Sequence, residues 1–183
     1  RKKAKTINLG LFYGMGKGKL SSELGLSPGE AEDLFEKYHK RVPFVKEMIE
    51  RTMKKAADIG HVRTLLGRKC RFDKWEPSRY GVHRPLPRDE AEREHGKQIR
   101  RAFTYKALNK IIQGSAADMT KQAMADLHDE GIVPHIQVHD ELDCSFEDEI
   151  EKDKILEIMR NAVKLEVPVK LDAEVGPSWG KAK

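Results

Sequence analysis

Arg1, Lys5, Leu9 and Tyr13 stand four residues apart. On a helix each step of four rotates the position by only about 40°, so the four form one shallow stripe about 18 Å long. The stripe opens with two cations and closes with an apolar residue and an aromatic ring. A nucleoside triphosphate has the same polarity: charged tail, sugar, flat base. Arg offers a planar fork for a terminal phosphate, and Lys a compact charge that can also release a proton. By spacing alone, a solvated basic helix with an apolar seam reads the same way. A second constellation is His139-Asp140-Glu141, set between Ile136-Gln137-Val138 and Leu142. Adjacent carboxylates on a tight hairpin are hard oxygen ligands suited to Mg²⁺, and phosphoryl transfer uses such metals to neutralise oxygen charge. The bare tripeptide is equally a polar turn. A third is the pair Asn109 and Gln113, again four apart. Amide groups can donate to the acceptors that every base pair shows in the minor groove. Helix capping and buried hydrogen bonding account for the same two residues.

The longer segments carry a resemblance. Arg1-Lys2-Lys3-Ala4-Lys5-Thr6-Ile7-Asn8-Leu9-Gly10-Leu11-Phe12-Tyr13-Gly14 resembles the fingers helix of family A DNA polymerases, the bacterial DNA polymerase I type. Gln137-Val138-His139-Asp140-Glu141 resembles that family's catalytic palm hairpin. Asn109 with Gln113-Gly114-Ser115-Ala116-Ala117-Asp118 is similar to its duplex-contacting segment, and Thr64-Leu65-Leu66-Gly67-Arg68 to its Thr-x-x-Gly-Arg turn. The ending from Glu174-Val175-Gly176 to Trp179 is similar as well.

The resemblance implies roles. Arg1 and Lys5 would hold the triphosphate, and Lys5 would protonate the leaving pyrophosphate. Leu9, where the family has Phe or Tyr, would lie against the incoming sugar, and Tyr13 at the nascent base pair. Asp140 would bind two Mg²⁺ ions, with Glu141 auxiliary and His139 near the primer end. Asn109 and Gln113 would contact the duplex, Arg68 its backbone, and Arg100 and Arg101 the template phosphates. Where many members have Arg four residues before the Asn, this chain has Tyr105, followed by Lys106.

The implied activity is template-directed DNA synthesis in replication or repair. Its partners would be primer-template DNA, deoxynucleoside triphosphates and the rest of the polymerase. The implied fold is α+β: a helical fingers subdomain plus part of a palm. Residues 1–60 would be fingers helices, and 61–183 the remaining fingers and the palm. The family's other metal-binding Asp sits in a pattern like Asp-Tyr-Ser-Gln-Ile-Glu-Leu-Arg, which does not occur in these residues. The chain therefore reads as a partial polymerase domain, inactive alone, with that palm strand, the thumb and any exonuclease domain elsewhere. A single-subunit RNA polymerase has a similar helix, but its hairpin resembles His-Asp-Ser. A DNA-binding subunit without activity is the third reading.

These groups need supports. Residues 1–20 read as one helix with turn signals at Gly16 and Gly18. Ser27, Pro28 and Glu30 spell a capped helix start, and Pro43 opens a helix that runs to Ile59 and stops at Gly60. Residues 61–72 read as a hairpin around Leu66-Gly67-Arg68, and 73–88 as an exposed loop with three prolines, Pro77, Pro85 and Pro87. A long helix is expected from Asp89 to Lys110, another from Gly114 to Glu130, so Asn109 and Gln113 straddle their junction. Alternation then marks a hairpin over 135–146, a helix over 147–164 and a last strand over 167–175.

Of the 183 residues, 38% are hydrophobic and 36% charged, with formal net charge +5. That is enough apolar matter for a core, and a basic balance suits a polyanion partner. Residues 1–20 hold six cations and no acid, and 63–110 are basic on balance, whereas 126–157 are acidic. Cys70 and Cys144 lack metal-ligand spacing and read as free thiols of a reducing compartment, with a disulfide as the alternative. With no membrane span, no signal peptide and no initiator Met, the expectation is a truncated cytoplasmic protein of a bacterial or phage-infected cell.

Overall fold

Glycines decide where the first helix ends. In the computed structural model, which describes residues 2–79 and 81–182, α1 spans Lys2–Phe12 and α2 spans Lys17–Leu24. The single helix expected over 1–20 is thus two. Gly14 takes φ +80°, and the amides of Gly14 and Met15 donate back to the carbonyls of Leu11 and Gly10 at 3.1 and 2.8 Å. This Schellman ending satisfies carbonyls that a helix end would otherwise leave open. Helix α3 (Pro28–Arg41) starts as expected: the Ser27 amide donates to Glu30 Oε2 at 2.9 Å, and the Glu30 amide donates to Ser27 Oγ at 3.4 Å. Helix α4 (Pro43–Ile59) follows directly and ends at Gly60, φ +75°.

The chain divides into two compact units, residues 1–114 and 115–183. In the first, β1 (His61–Arg63) and β2 (Lys69–Arg71) form the expected hairpin, with Val62 opposite Cys70. Its inner face meets α4 and the start of α6 (Ala107–Asp129) through Ala56, Val62, Phe72 and Ala107, with Cys70 and Ile111 packed alongside. These small and medium side chains let three elements approach closely, which fixes the hairpin beside the helix.

The next segment departs from expectation. Residues 73–88 are not wholly loop: β3 (Trp75–Pro77) pairs antiparallel with β4 (Ile99–Arg101), and Trp75 also bridges Leu86. Nor is 89–110 one helix. Helix α5 (Arg88–His95) stops at Gly96, φ +69°, and a 3-10 turn (Thr104–Lys106) precedes α6. Local helix propensity lost to cross-strand pairing here. Glu76 and Arg100 sit opposite each other and form a 3.0 Å ion pair. The Trp75 ring carries the Arg101 guanidinium at 4.6 Å and that of Arg88 at 5.1 Å. Arg101 also donates to the carbonyls of Ala57 and Phe72 at 3.1 and 3.0 Å. Three longer-range partners for one side chain outweigh a weak helical preference.

Helix α6 (Ala107–Asp129) is continuous, so the expected break near Gly114 is absent and Asn109 and Gln113 share one helix. In the second unit, β5 (Ile136–Val138) and β6 (Glu141–Asp143) form a hairpin, followed by α7 (Glu149–Asn161), capped when Asp148 Oδ1 accepts from the Glu151 amide at 2.9 Å. Leu127, Ile132 and Ile155 are its buried core, with Leu142, Cys144 and Phe146 packed on it. The strand expected over 167–175 is not formed; among the described residues nothing pairs with it. A strand without a ladder partner has no backbone bonds to hold it extended. Among the described residues the sheets are three separate two-stranded ribbons, so the architecture is α+β as expected. No described helix is long and apolar enough to cross a membrane.

Candidate functional site

On α1 the structure separates a buried from an exposed side. Leu11 is fully buried, while Lys5 and Leu9 are exposed, Leu9 by 43%. Leu11 lies two residues beyond Leu9, about 200° around the helix. The Lys5–Leu9 stripe therefore faces away from the packing side, as a ligand-facing stripe must. Tyr13 stands just past the helix end, half-buried, its amide bonded to the Leu9 carbonyl at 3.0 Å. Its ring meets Phe12 edge-on at 6.1 Å, which limits where it can swing. Arg1 lies outside the described residues.

The hairpin of the second unit is tighter than expected. Val138 pairs with Glu141, so only His139 and Asp140 form the turn, and Glu141 already belongs to β6. His139 takes φ +55°. A two-residue hairpin demands a positive φ at its first position, where glycine is usual. Placing His there costs about 1–3 kcal/mol. Gln137 helps to hold it, since its side-chain amide donates to the His139 carbonyl at 2.5 Å.

Strand alternation then sorts the faces. Leu142 turns into the core, while Ile136, Val138, Glu141 and Asp143 share the other face. Asp140 and Glu141 are exposed, and no ion pair among the described residues neutralises either. Mg²⁺ is usually held by one or two carboxylates with waters and substrate phosphates completing the shell, so this donor pair fits it. Among the described residues no three His, Cys, Asp or Glu side chains come together as a metal cluster.

Asn109 is half-buried and Gln113 exposed, one turn apart on α6. Beside them lies a close approach. A Cβ on Gly114 would stand 2.8 Å from Thr64 Cγ2 and 3.3 Å from Arg68 Nη2. Glycine thus lets the hairpin turn lie against the helix. Thr64 Oγ1 accepts from the Arg68 amide at 3.0 Å, and Arg68 Nη2 donates to the Gly114 carbonyl at 3.0 Å. Arg68 is therefore tied to the helix that carries the amide pair. Arg100 is paired with Glu76, and Arg101 is taken up by its carbonyl partners and Trp75.

Both cysteines are free. Burial, and secondarily the Asp143 charge, push the Cys144 thiol upward, so it stays protonated and serves packing. Sequence reasoning missed a basic cleft beside Phe103, a residue with φ +61°. The charge bias of 63–110 was its only outward sign.

Comparison with known proteins places the chain in one family. The family model for DNA polymerase family A matches residues 1–181. The chain is 38% identical to "DNA polymerase I, thermostable" of Thermus filiformis, covering 100% of the chain and 21% of that protein. It is 34% identical to the "DNA-directed DNA polymerase" of Pseudomonas phage M6, over 98% of the chain and 29% of the relative. The POL domain of Pol1 from M. smegmatis, solved in complex with DNA primer-template and dNTP, superposes with TM-score 0.69 at 30% identity, covering 92% of this chain and 28% of that one. The chain thus spans between about a fifth and a third of the length of these relatives. With its family model matching residues 1–181, the chain belongs to DNA polymerase family A.

Proposed function

We propose that the complete protein is a template-directed DNA polymerase, in which this chain supplies the nucleotide-gripping helix and one carboxylate strand. The observation that carries this reading is the β5–β6 turn: a strained His139 and an exposed, unneutralised Asp140–Glu141 pair held on a rigid two-residue hairpin. Fold-wise, residues 1–60 are fingers helices, and 61–183 the remaining fingers and the palm.

Lys5 and Arg1 hold the triphosphate, and Lys5 gives a proton to the departing pyrophosphate oxygen. Leu9 supplies apolar bulk against the sugar, and Tyr13 a ring near the nascent pair. Asn109 and Gln113 reach the minor groove of any correctly paired duplex. Arg68 positions their helix and faces the DNA backbone, and His139 lies toward the primer end. Arg100 reaches a template phosphate only by sharing or leaving Glu76. Asp140, with Glu141 beside it, holds Mg²⁺, which supplies charge neutralisation at the reacting phosphate oxygens. A second carboxylate comes from another part of the protein. The protein works where DNA is copied, in the cytoplasm of a bacterial or phage-infected cell.

The test is extension of a labelled primer by the complete protein on templates with each base at the coding position. The proposal expects Mg²⁺-dependent addition of the complementary deoxynucleotide. Preferential addition of ribonucleotides, or no addition, contradicts it.

A further inference from the structure

In the first unit, a cleft of about 240 Å³ opens between the end of β2, the segment after it and the 3-10 turn before α6. Four cations line it, Arg71, Lys74, Lys106 and Lys110, against the single carboxylate of Asp73. None of the five has an ion pair among the described residues. Lys106 stands over the rings of Phe103 and Tyr105, at 4.9 and 5.6 Å. Lys110 stands over Phe72 at 4.9 Å, its Nζ donating to the Arg71 carbonyl at 3.5 Å. Like charges gathered around one small cleft repel each other, and an anion that enters removes that repulsion.

The lining also has an aromatic face. Phe103 is 38% exposed and has φ +61°. A bulky residue rarely takes this conformation, and such residues gather at ligand sites. Ala102 and Ala107 on either side are fully buried, which fixes the backbone and leaves the ring on the cleft. Cations interleaved with an exposed ring are the ingredients of single-strand recognition: phosphate on the charges, base on the ring. A duplex keeps its base faces stacked inside and cannot use the ring. Two of its lining residues, Lys106 and Lys110, stand on either side of Asn109 in sequence.

We propose that this cleft binds one nucleotide of an unpaired DNA strand, with its phosphate on Lys74 and Lys106 and its base on Phe103. The choice of DNA rests on the polymerase reading above; the cation-and-ring chemistry does not.

The experiment is anisotropy titration of the full-length protein with a fluorescein-labelled oligothymidine and, separately, a blunt labelled duplex, over a range of salt. Phe103→Ala and Phe103→Leu should weaken the single strand about 10-fold, the order that loss of one stacked base produces. The blunt duplex should change less than about two-fold. Phe103→Trp should bind the single strand like the parent, which separates stacking from a folding defect. Lys74→Gln with Lys106→Gln should lower the log–log salt slope for the single strand by about 0.7, because the two lysines share one phosphate. Unchanged single-strand binding by Phe103→Leu, or equal loss of duplex and single strand, overturns the proposal. Neither readout involves turnover. Absent primer extension would therefore sink the polymerase reading without touching this result, and the converse also holds.

Discussion

Gly114→Ala should destabilise the chain although alanine is the better helix former. The substituted Cβ would stand 2.8 Å from Thr64 Cγ2, with Cys70 Sγ at 3.7 Å. Thr64 is buried, at 5% exposure, and its hydroxyl is held by the Arg68 amide at 3.0 Å, so the methyl cannot swing aside cheaply. Overpacking of this kind costs about 1–3 kcal/mol. The change from Gly to Ala inside a helix returns about 0.8–1 kcal/mol. The net expectation is a loss of about 1 kcal/mol, or about 2–4 °C in Tm for a chain of this size. Thr64→Ser supplies the control because it removes the clashing methyl and keeps the hydroxyl. Alone it should cost about 0.8 kcal/mol for one buried carbon. Combined with Gly114→Ala it should relieve the clash, leaving the double variant at least as stable as Gly114→Ala alone. Urea melts of the chain, the two single variants and the double variant give the cycle. Stabilisation by Gly114→Ala alone, or strict additivity of the two changes, would refute the close approach between hairpin turn and helix.

Two further outcomes are expected. In the complete protein Lys5→Ala should lower both nucleotide affinity and the maximal rate of single-nucleotide incorporation, the rate by about 10²–10⁴-fold if its proton is used. Arg1→Ala should act mainly on affinity, and Lys5→Arg should restore affinity better than rate; a rate untouched in Lys5→Ala removes the proton-donor role. The Cys144 thiol, raised by burial and by Asp143, should resist alkylation at mildly alkaline pH. Because its folded value lies above the unfolded one, the linked stability is present below the unfolded thiol value of about 8.5 and falls as pH rises beyond it. Pulsed iodoacetamide labelling with mass readout at Cys144 checks this, and rapid labelling at neutral pH in the native state would contradict it.

What the sequence showed well was local. Ser27-Pro28-Glu30 and Gly60 act on their nearest neighbours, and the structure has the cap and the stop where those residues imply. The β5–β6 hairpin was legible because alternation and turn chemistry agree within a few residues. The region from 73 to 101 was not, because its determinants lie far apart along the chain. Trp75 becomes a strand residue through Arg101 and Leu86, and Arg101 is claimed by the carbonyls of Ala57 and Phe72. Charged helix formers over 88–110 suggested one long helix, and the break falls at Gly96, whose φ is +69°. The 167–175 segment failed for the opposite reason: its alternation is present, but a strand also needs a neighbour. The candidate site residues came from motifs alone, while the left-handed backbone of Phe103 and the Gly114 contact left no trace in residue type.

In the proposed function Asp140 is the carboxylate that would hold metal at the hairpin turn. The most direct measurement is rapid-quench single-turnover incorporation by the complete protein and its Asp140→Asn variant, alongside duplex affinity for both. The shapes of Asp and Asn are alike and residue 140 is exposed, so folding and duplex binding should be retained while the single-turnover rate falls to near background. A near-normal rate in Asp140→Asn would contradict the account.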